Sequence, residues 1–444
     1  MRRAFVVSLF AAASTAAATA QPQPAAPVPA AATNKPLNAR EVVTAVREVI
    51  AKIYVLPERR PAIDAVLARG LASGRYDVTD RATLAQRIDA DLAEAGKDKH
   101  LNFRFDPQAA AAINASRTPS APSDRAGGER AARARNHGVA ELKVLPGNIR
   151  YMDYRGFEWT GDESRAALDT ALQFLGGGDA VIIDLRRNGG GSPQAVQHIV
   201  SHFMEADQPL VTFYMGGQPT PNSLSTLRDL KVSRMIGKPL YVLTSPGTAS
   251  AAEEFTGHVG GYRLGELVGE KTAGAGFRNT IVTLEGEFVL SVSIGRSVLA
   301  STGKDWEAVG LAPTIATPVH RALDTAHAHA LRRLAAAAQG AEKAQLEAVA
   351  DGIAARAERR AAALPLNAYA GNYGERVISL DGNALYYQRG ARARERLIAL
   401  GGNVFAFEND PMIRLDFAAA NGSVAAMEVG SPGLPPQGRY ERTR

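Results

Sequence analysis

The sequence contains no cysteine, which removes disulfides, thiolate zinc sites, iron–sulfur clusters and a cysteine nucleophile together. No interior apolar run approaches the roughly 18–20 residues that a membrane-spanning helix needs. Histidine is scarce, eight in 444 residues, so any imidazole chemistry must come from a short list of candidates. A dominant charge sign is lacking too. The 51 Lys and Arg face 45 Asp and Glu, and the excess of +6 is spread along the chain rather than gathered into a stripe. That pattern gives no footprint for a nucleic-acid partner. What is present, 45% hydrophobic and 22% charged residues, is the composition of a globular protein with room for several domains.

The N-terminus reads as a targeting segment. Arg2 and Arg3 precede a short apolar stretch, Phe5 to Ala13, and Ala18-Thr19-Ala20 supplies the small residues a signal peptidase accepts. Residues 1–20 are therefore expected to be a signal peptide, and the protein to be exported, periplasmic or secreted. Its removal leaves 49 basic against 45 acidic residues, a charge of +4. Residues 21–36, rich in Pro, Ala and Gln, are expected to form a flexible tether.

The remainder reads as a mixed α/β protein. Apolar residues at three- and four-residue spacing (Val42, Val46, Val49, Ile50; Ile63, Val66, Leu67; Leu84, Ile88, Leu92) predict a three-helix bundle within 37–106, closed by an extended Leu101-Asn-Phe-Arg-Phe. Residues 107–137 show no periodicity and read as a mobile connector. From 138 to 316 strands and helices alternate, and near-continuous apolar strands such as Ala180-Val-Ile-Ile-Asp-Leu predict a sheet covered on both faces. Residues 317–363 read as an Ala-rich helical linker whose His320, His327 and His329 are solvated. Residues 364–444 read as a small antiparallel β module, with Asp381-Gly382 and Asn421-Gly422 as turns.

Two loops of the 138–316 core carry candidate chemistry. Asp184-Leu-Arg-Arg-Asn-Gly-Gly-Gly-Ser192 joins a buried strand to a helix, and its glycines leave backbone N–H groups open to a ligand. It matches neither the dinucleotide nor the phosphate-loop fingerprint, and a tight turn is its plain alternative. The second loop, Thr244 to Phe255, puts Ser250 at a helix start, where unpaired N–H donors and the positive dipole end gather. A hydroxyl there, beside the Ala251 N–H, has the layout of a nucleophile next to half an oxyanion hole; a helix cap is the plain alternative. Both loops leave carboxyl ends of strands, where open α/β sheets bind ligands.

A serine needs a base. His198 and His202 have the i, i+4 spacing of a metal-binding helix. No Glu lies between them and no third ligand is evident in the sequence, so no metal is expected. His258 lies eight residues beyond Ser250 on the same helix, about 12 Å along its axis, out of reach. His137 ends the connector. His100, in Asp98-Lys-His100 between bundle and strand, remains a candidate, and Lys271 is an alternative base.

The order and spacing of Asp184-Leu-Arg-Arg-Asn-Gly-Gly-Gly, Thr248-Ala-Ser250-Ala-Ala-Glu253 and Val268-Gly-Glu-Lys-Thr-Ala-Gly-Ala-Gly276 resemble the tail-specific, or C-terminal processing, serine protease superfamily over roughly residues 37–320. The resemblance implies Ser250 as nucleophile. Members with a Ser–Lys dyad carry the lysine 25 residues later, a position occupied here by Ala275, and no PDZ-like segment is evident. Asp98-Lys-His100 and Leu145-Pro-Gly-Asn-Ile-Arg-Tyr151 instead resemble the branch of interphotoreceptor retinoid-binding protein and the tricorn core protease. By that resemblance His100 is the base and Glu307, in Glu307-Ala-Val-Gly310-Leu-Ala-Pro313, orients it. Ala251 and a glycine of the Gly189–Gly190 pair bind the oxyanion. Lys99 departs from the tricorn pattern, and a cation there depresses the basicity of His100. The C-terminal module resembles small β-barrel modules of exported bacterial hydrolases.

The fold expected is thus a helical bundle, an α/β-sandwich protease core, a helical linker and a β-barrel-like module. The function expected is serine endopeptidase action on peptides or unfolded protein tails, with no cofactor. The alternative is a non-catalytic binder of a hydrophobic ligand or peptide on the same fold. An α/β-hydrolase is excluded because no Gly-x-Ser-x-Gly elbow surrounds Ser250.

Overall fold

The computed structural model describes residues 36–443 apart from 99, 117–121 and 286. The expected signal peptide (1–20), all of the expected tether (21–36) but Pro36, and Lys99 lie outside the described residues. Helices α1 (Ala39–Ile53), α2 (Arg60–Ala72) and α3 (Arg81–Gly96) form the expected bundle. Asn38 caps α1 by accepting the Glu41 N–H, and Asp80 caps α3 by accepting that of Thr83. Lys97 ends α3 in the left-handed region (φ 48°), turning the chain through Asp98 and His100 into strand β1 (Asn102–Phe105).

The apolar stripe of the bundle, Val42, Val46 and Ile50 with Ile63, Leu67 and Ile88, packs on Phe103, Phe288, Leu290 and Val292 of a sheet rather than closing on itself. The bundle segment and the core therefore share a hydrophobic layer.

The segment expected to be a mobile connector is helical instead: α4 (Pro107–Ser116) and α5 (Pro122–Ala134) occupy most of it. Asp106 starts α4, its carboxylate accepting the Ala109 N–H, with Pro107 at the first helical position. Alanine favours helix but marks no apolar face, so periodicity could not reveal either element.

The core consists of β2 (Val139–Leu145), β3 (Ile149–Tyr154), α6 (Asp162–Gly176), β4 (Ala180–Asp184), α7 (Pro193–Val200), β5 (Pro209–Met215), β6 (Asn222–Ser225), β7 (Leu240–Thr244), α8 (Ala251–Gly261), β8 (Glu266–Gly269), β9 (Phe277–Leu284), β10 (Phe288–Leu299) and β11 (Ile315–Ala316). Two sheets result. One runs β11-β8-β7-β4-β3-β2, parallel except for the edge strand β2. The other runs β1-β10-β5-β6, with β9 also on β10.

The first sheet is covered on both faces, as its continuous apolar strands require. Val181, Ile183, Leu240 and Val242 face α6, α7 and α8. Their neighbours Ala180, Ile182, Tyr241 and Leu243 face α9 (Ala322–Ala337) and α10 (Gly340–Glu358). Each such buried Val, Leu or Ile contributes about 1.5–3 kcal/mol. The Ala-rich segment is thus helical as expected, but it is half of the core's packing rather than a linker. His327, expected to be solvated, is buried, its Nε2 against the Pro146 carbonyl at 2.9 Å, because α9 lays its small-residue face on the sheet. His137 is likewise buried, its Nδ1 2.8 Å from the Ser164 hydroxyl.

The C-terminal module is a closed eight-stranded antiparallel barrel between Gly371 and Thr443. Tyr369, Phe405 and Phe417 pack edge-to-face in its interior, with ring centroids 4.9–5.5 Å apart. No helix among the described residues is long and apolar enough to cross a membrane.

Candidate active site

Parallel pairing of β4, β7 and β8 in register (Asp184 with Leu243, Thr244 with Gly269) makes their carboxyl ends neighbours. The loops that follow, 185–192, 245–250 and 270–276, therefore emerge side by side. Hydrogen bonds tie them together. Thr248 Oγ1 donates to the Leu185 carbonyl at 2.8 Å and Ser245 Oγ to that of Arg186 at 2.6 Å. The Ala249 N–H donates to the Asn188 carbonyl and the Ala273 N–H to that of Thr248. Asn188, fully buried, holds the glycine loop from within: its amide donates to the Tyr154 carbonyl and its Oδ1 accepts the Gly190 N–H at 2.9 Å.

Ser250 stands at the start of α8, exposed and in a conformation rare for a residue with a side chain, φ 54° and ψ −122°. Such strain costs about 1–3 kcal/mol and persists only where the surroundings over-determine it. The main restraint is Glu253. Its fully buried carboxylate accepts the Ser250 N–H at 3.0 Å, the Gly274 and Ala275 N–H groups at 2.7 and 2.8 Å, and the Thr272 hydroxyl at 2.6 Å. One carboxylate thus fixes both the serine and the loop that carries Ala275. The sequence pattern contained Glu253, but not its role, because a capping glutamate and a loop-clamping one look alike in sequence.

Gly190 lies against the serine. A Cβ there would sit 2.7 Å from the Ser250 Cβ and 2.9 Å from the Ala251 nitrogen, at a φ of +107°. The N–H groups of Ala251 and Gly189 have no acceptor among the described residues, whereas that of Gly190 is donated to Asn188. Ser250 and Ala251 line a cavity of about 670 Å³, bordered also by Gly191, Glu254, Ala275 and Arg278. Lys271 is exposed and outside that lining. His258 turns into the protein towards Glu254, 3.6 Å away, and burial pushes the Glu254 carboxyl above its ordinary value.

His100 and Glu307, distant in sequence, are brought together: His100 Nε2 lies 3.5 Å from Glu307 Oε1. The other oxygen of Glu307 accepts the N–H groups of Gly276 and Phe277, each at 2.8 Å, and both of those residues border the cavity. Burial disfavours the charged carboxylate. His100 and the two N–H donors outweigh it, so the carboxyl is held below its ordinary value. The His100 N–H donates to Asp98 Oδ1 at 2.9 Å, which fixes the turn that presents the ring.

The pair His198 and His202 is not alone, contrary to expectation. Asp169 of α6 closes on it, its Oδ1 2.8 Å from His198 Nε2, a contact that crosses between helices and has no signature in local spacing.

Residues 148–317 match the family model described as peptidase family S41, and residues 37–134 match the N-terminal domain of that family in eukaryotic interphotoreceptor retinoid-binding protein. The chain carries a peptidase family S41 domain over residues 148–317. Among curated relatives, it is 31% identical to the carboxyl-terminal-processing protease of Synechocystis over 27% of either chain. It is 28% identical to carboxy-terminal processing protease CtpB of Bacillus subtilis, over 31% of this chain and 28% of that protein. The chain thus matches little more than a quarter of the length of these relatives. The photosystem II D1 C-terminal processing protease is similar at 18% identity and a TM-score of 0.45, covering 64% of this chain and 94% of that one.

Proposed function

We propose that this S41 protein is an exported serine endopeptidase that cleaves peptides or unfolded protein tails through an acyl-enzyme. The observation that carries the reading is Ser250. It is exposed, strained and clamped by Glu253 at the wall of a cavity, with the acceptor-free Ala251 N–H as its neighbour. A strained residue held at a helix start is where a fold spends stability on chemistry.

Ser250 Oγ attacks the scissile carbonyl carbon. His100 takes the hydroxyl proton and returns it to the leaving amine. Water then hydrolyses the ester by the same route. Because Glu307 faces Nε2, that nitrogen keeps its proton and Nδ1 is the basic one. Glu307, held ionised by Gly276 and Phe277, orients the ring and offsets the imidazolium charge. The 3.5 Å separation suits a pair that tightens on substrate, since catalytic contacts are often long before it binds. The N–H groups of Ala251 and Gly189 are the oxyanion donors, and Gly190 contributes the space that a Cβ would fill. The basic and apolar N-terminus with Ala18-Thr-Ala20 supports export.

Profiling of newly formed peptide ends, with the wild-type protein and Ser250→Ala on one denatured proteome, tests this reading. Cleavage by the wild type alone supports it. Equal profiles overturn it and favour the non-catalytic binder.

A further inference from the structure

Away from the cavity, the side chains of Asp169 on α6, His198 on α7 and His202 in the turn that follows α7 bring their ligand atoms within 4.8 Å of one another. All three are buried, at 8%, 2% and 0% exposure. His202 Nδ1 lies 2.9 Å from the His198 carbonyl. A carbonyl only accepts, so Nδ1 carries the proton and Nε2 presents a bare lone pair. That lone pair has no partner among the described residues, and neither have Asp169 Oδ2 and His198 Nδ1. Two of these orphaned atoms, His202 Nε2 and Asp169 Oδ2, belong to groups that can share one ion, and leaving them bare in a core is costly.

We infer that Asp169, His198 and His202 form a binding site for one zinc ion. Two imidazoles and a carboxylate suit zinc, and the backbone bond at His202 Nδ1 is the orienting contact that zinc-ligating histidines make. Ligand atoms around tetrahedral zinc sit about 3.3 Å apart for bonds of roughly 2.0–2.1 Å; the 2.8 Å between His198 Nε2 and Asp169 Oδ1 would open on binding, and the three ligand atoms, all within 4.8 Å of one another, would draw to that common spacing. Two positive groups face the cluster, Arg165 from α6 and Arg234 from the segment before β7. Arg165 is exposed and stacks over Trp159, while Arg234 is occupied by backbone carbonyls including those of Met204 and Leu227. Neither pairs with Asp169. The ion would tie α6 to α7, the helix that begins directly after the glycine loop, so its role is to stiffen the scaffold rather than to take part in peptide hydrolysis.

The test uses the full-length protein, stripped with chelator, loaded with zinc and dialysed against metal-free buffer. Metal analysis is expected to find about one zinc per wild-type chain and none retained in Asp169→Asn or His202→Gln. Zinc is expected to raise the thermal midpoint of the wild type but not of the variants. Cobalt substitution provides a second reading on the wild type alone, as the visible absorption of a tetrahedral site. No zinc retained by the folded wild type, or equal zinc in the folded variants, overturns the assignment. Neither readout involves peptidase activity, so this outcome is separate from that of the proposed function.

Discussion

Glu307 and His100 meet across some two hundred residues of chain, Oε1 to Nε2 at 3.5 Å, while the second oxygen of Glu307 is held by the Gly276 and Phe277 N–H groups. The carboxylate thereby joins the turn after the bundle to the strip of chain that borders the cavity. In Glu307→Gln the ring loses its charge partner but not its neighbour. The expected outcome is a fall in kcat of about 10³–10⁴-fold with KM little changed, read from steady-state kinetics. The folded protein holds this carboxyl below its ordinary value, so its contribution to stability is present at neutral pH and is lost as pH falls through the lowered value. The stability gap between wild type and Glu307→Gln is therefore expected to narrow on acidification, measured by denaturant unfolding across that range.

Glu253 is the larger structural commitment. Four donors converge on it with no solvent. Glu253→Ala orphans all of them and is expected to destabilise by about 3–5 kcal/mol. Glu253→Gln, of nearly the same shape, turns an N–H₂ towards donors and is expected to lose activity with a smaller drop in thermal midpoint. Calorimetry alongside peptide cleavage separates the two effects.

The glycine pair provides a steric contrast. A methyl group at Gly189 meets nothing within 4 Å, whereas at Gly190 it meets Ser250, Ala249 and Ala251 at under 3 Å in a left-handed conformation. Gly189→Ala is expected to retain most activity, since the N–H is kept. Gly190→Ala is expected to lose at least 10²-fold in kcat/KM, the scale of one oxyanion donor.

The backbone strain at Ser250 makes a further expectation. Ser250→Gly relieves a φ of 54°, which outweighs the entropy a glycine adds to the unfolded chain. The variant should be inactive yet more stable by about 1 kcal/mol, measured by chemical denaturation. A less stable variant would show that the conformation is not strained.

The legible parts of the fold were those with strong patterns. The stripes Val42-Val46-Ile50 and Leu84-Ile88-Leu92 announced α1 and α3, and Ala180-Val-Ile-Ile announced a strand buried on both sides. The Ala-rich stretches are less legible: α4 and α5 fall where a mobile connector is expected, and α9 and α10 are helical as expected but pack on the sheet rather than acting as a linker, because small residues pack closely without producing a hydrophobic period. At the site, Ser250 and the glycine loop stood out locally. Glu307 is visible in the sequence only through family resemblance, since its partnership with His100 spans the fold. Asp169 could not be foreseen beside His198, for its contact comes from a neighbouring helix.

The most direct measurement is covalent labelling with a serine-directed phosphonate, with the adduct located by peptide mass spectrometry. One adduct per chain on Ser250, absent from Ser250→Ala and strongly slowed in His100→Ala, is the expected result. Labelling elsewhere in the chain, or at an undiminished rate without Ser250, would contradict the assignment of the nucleophile.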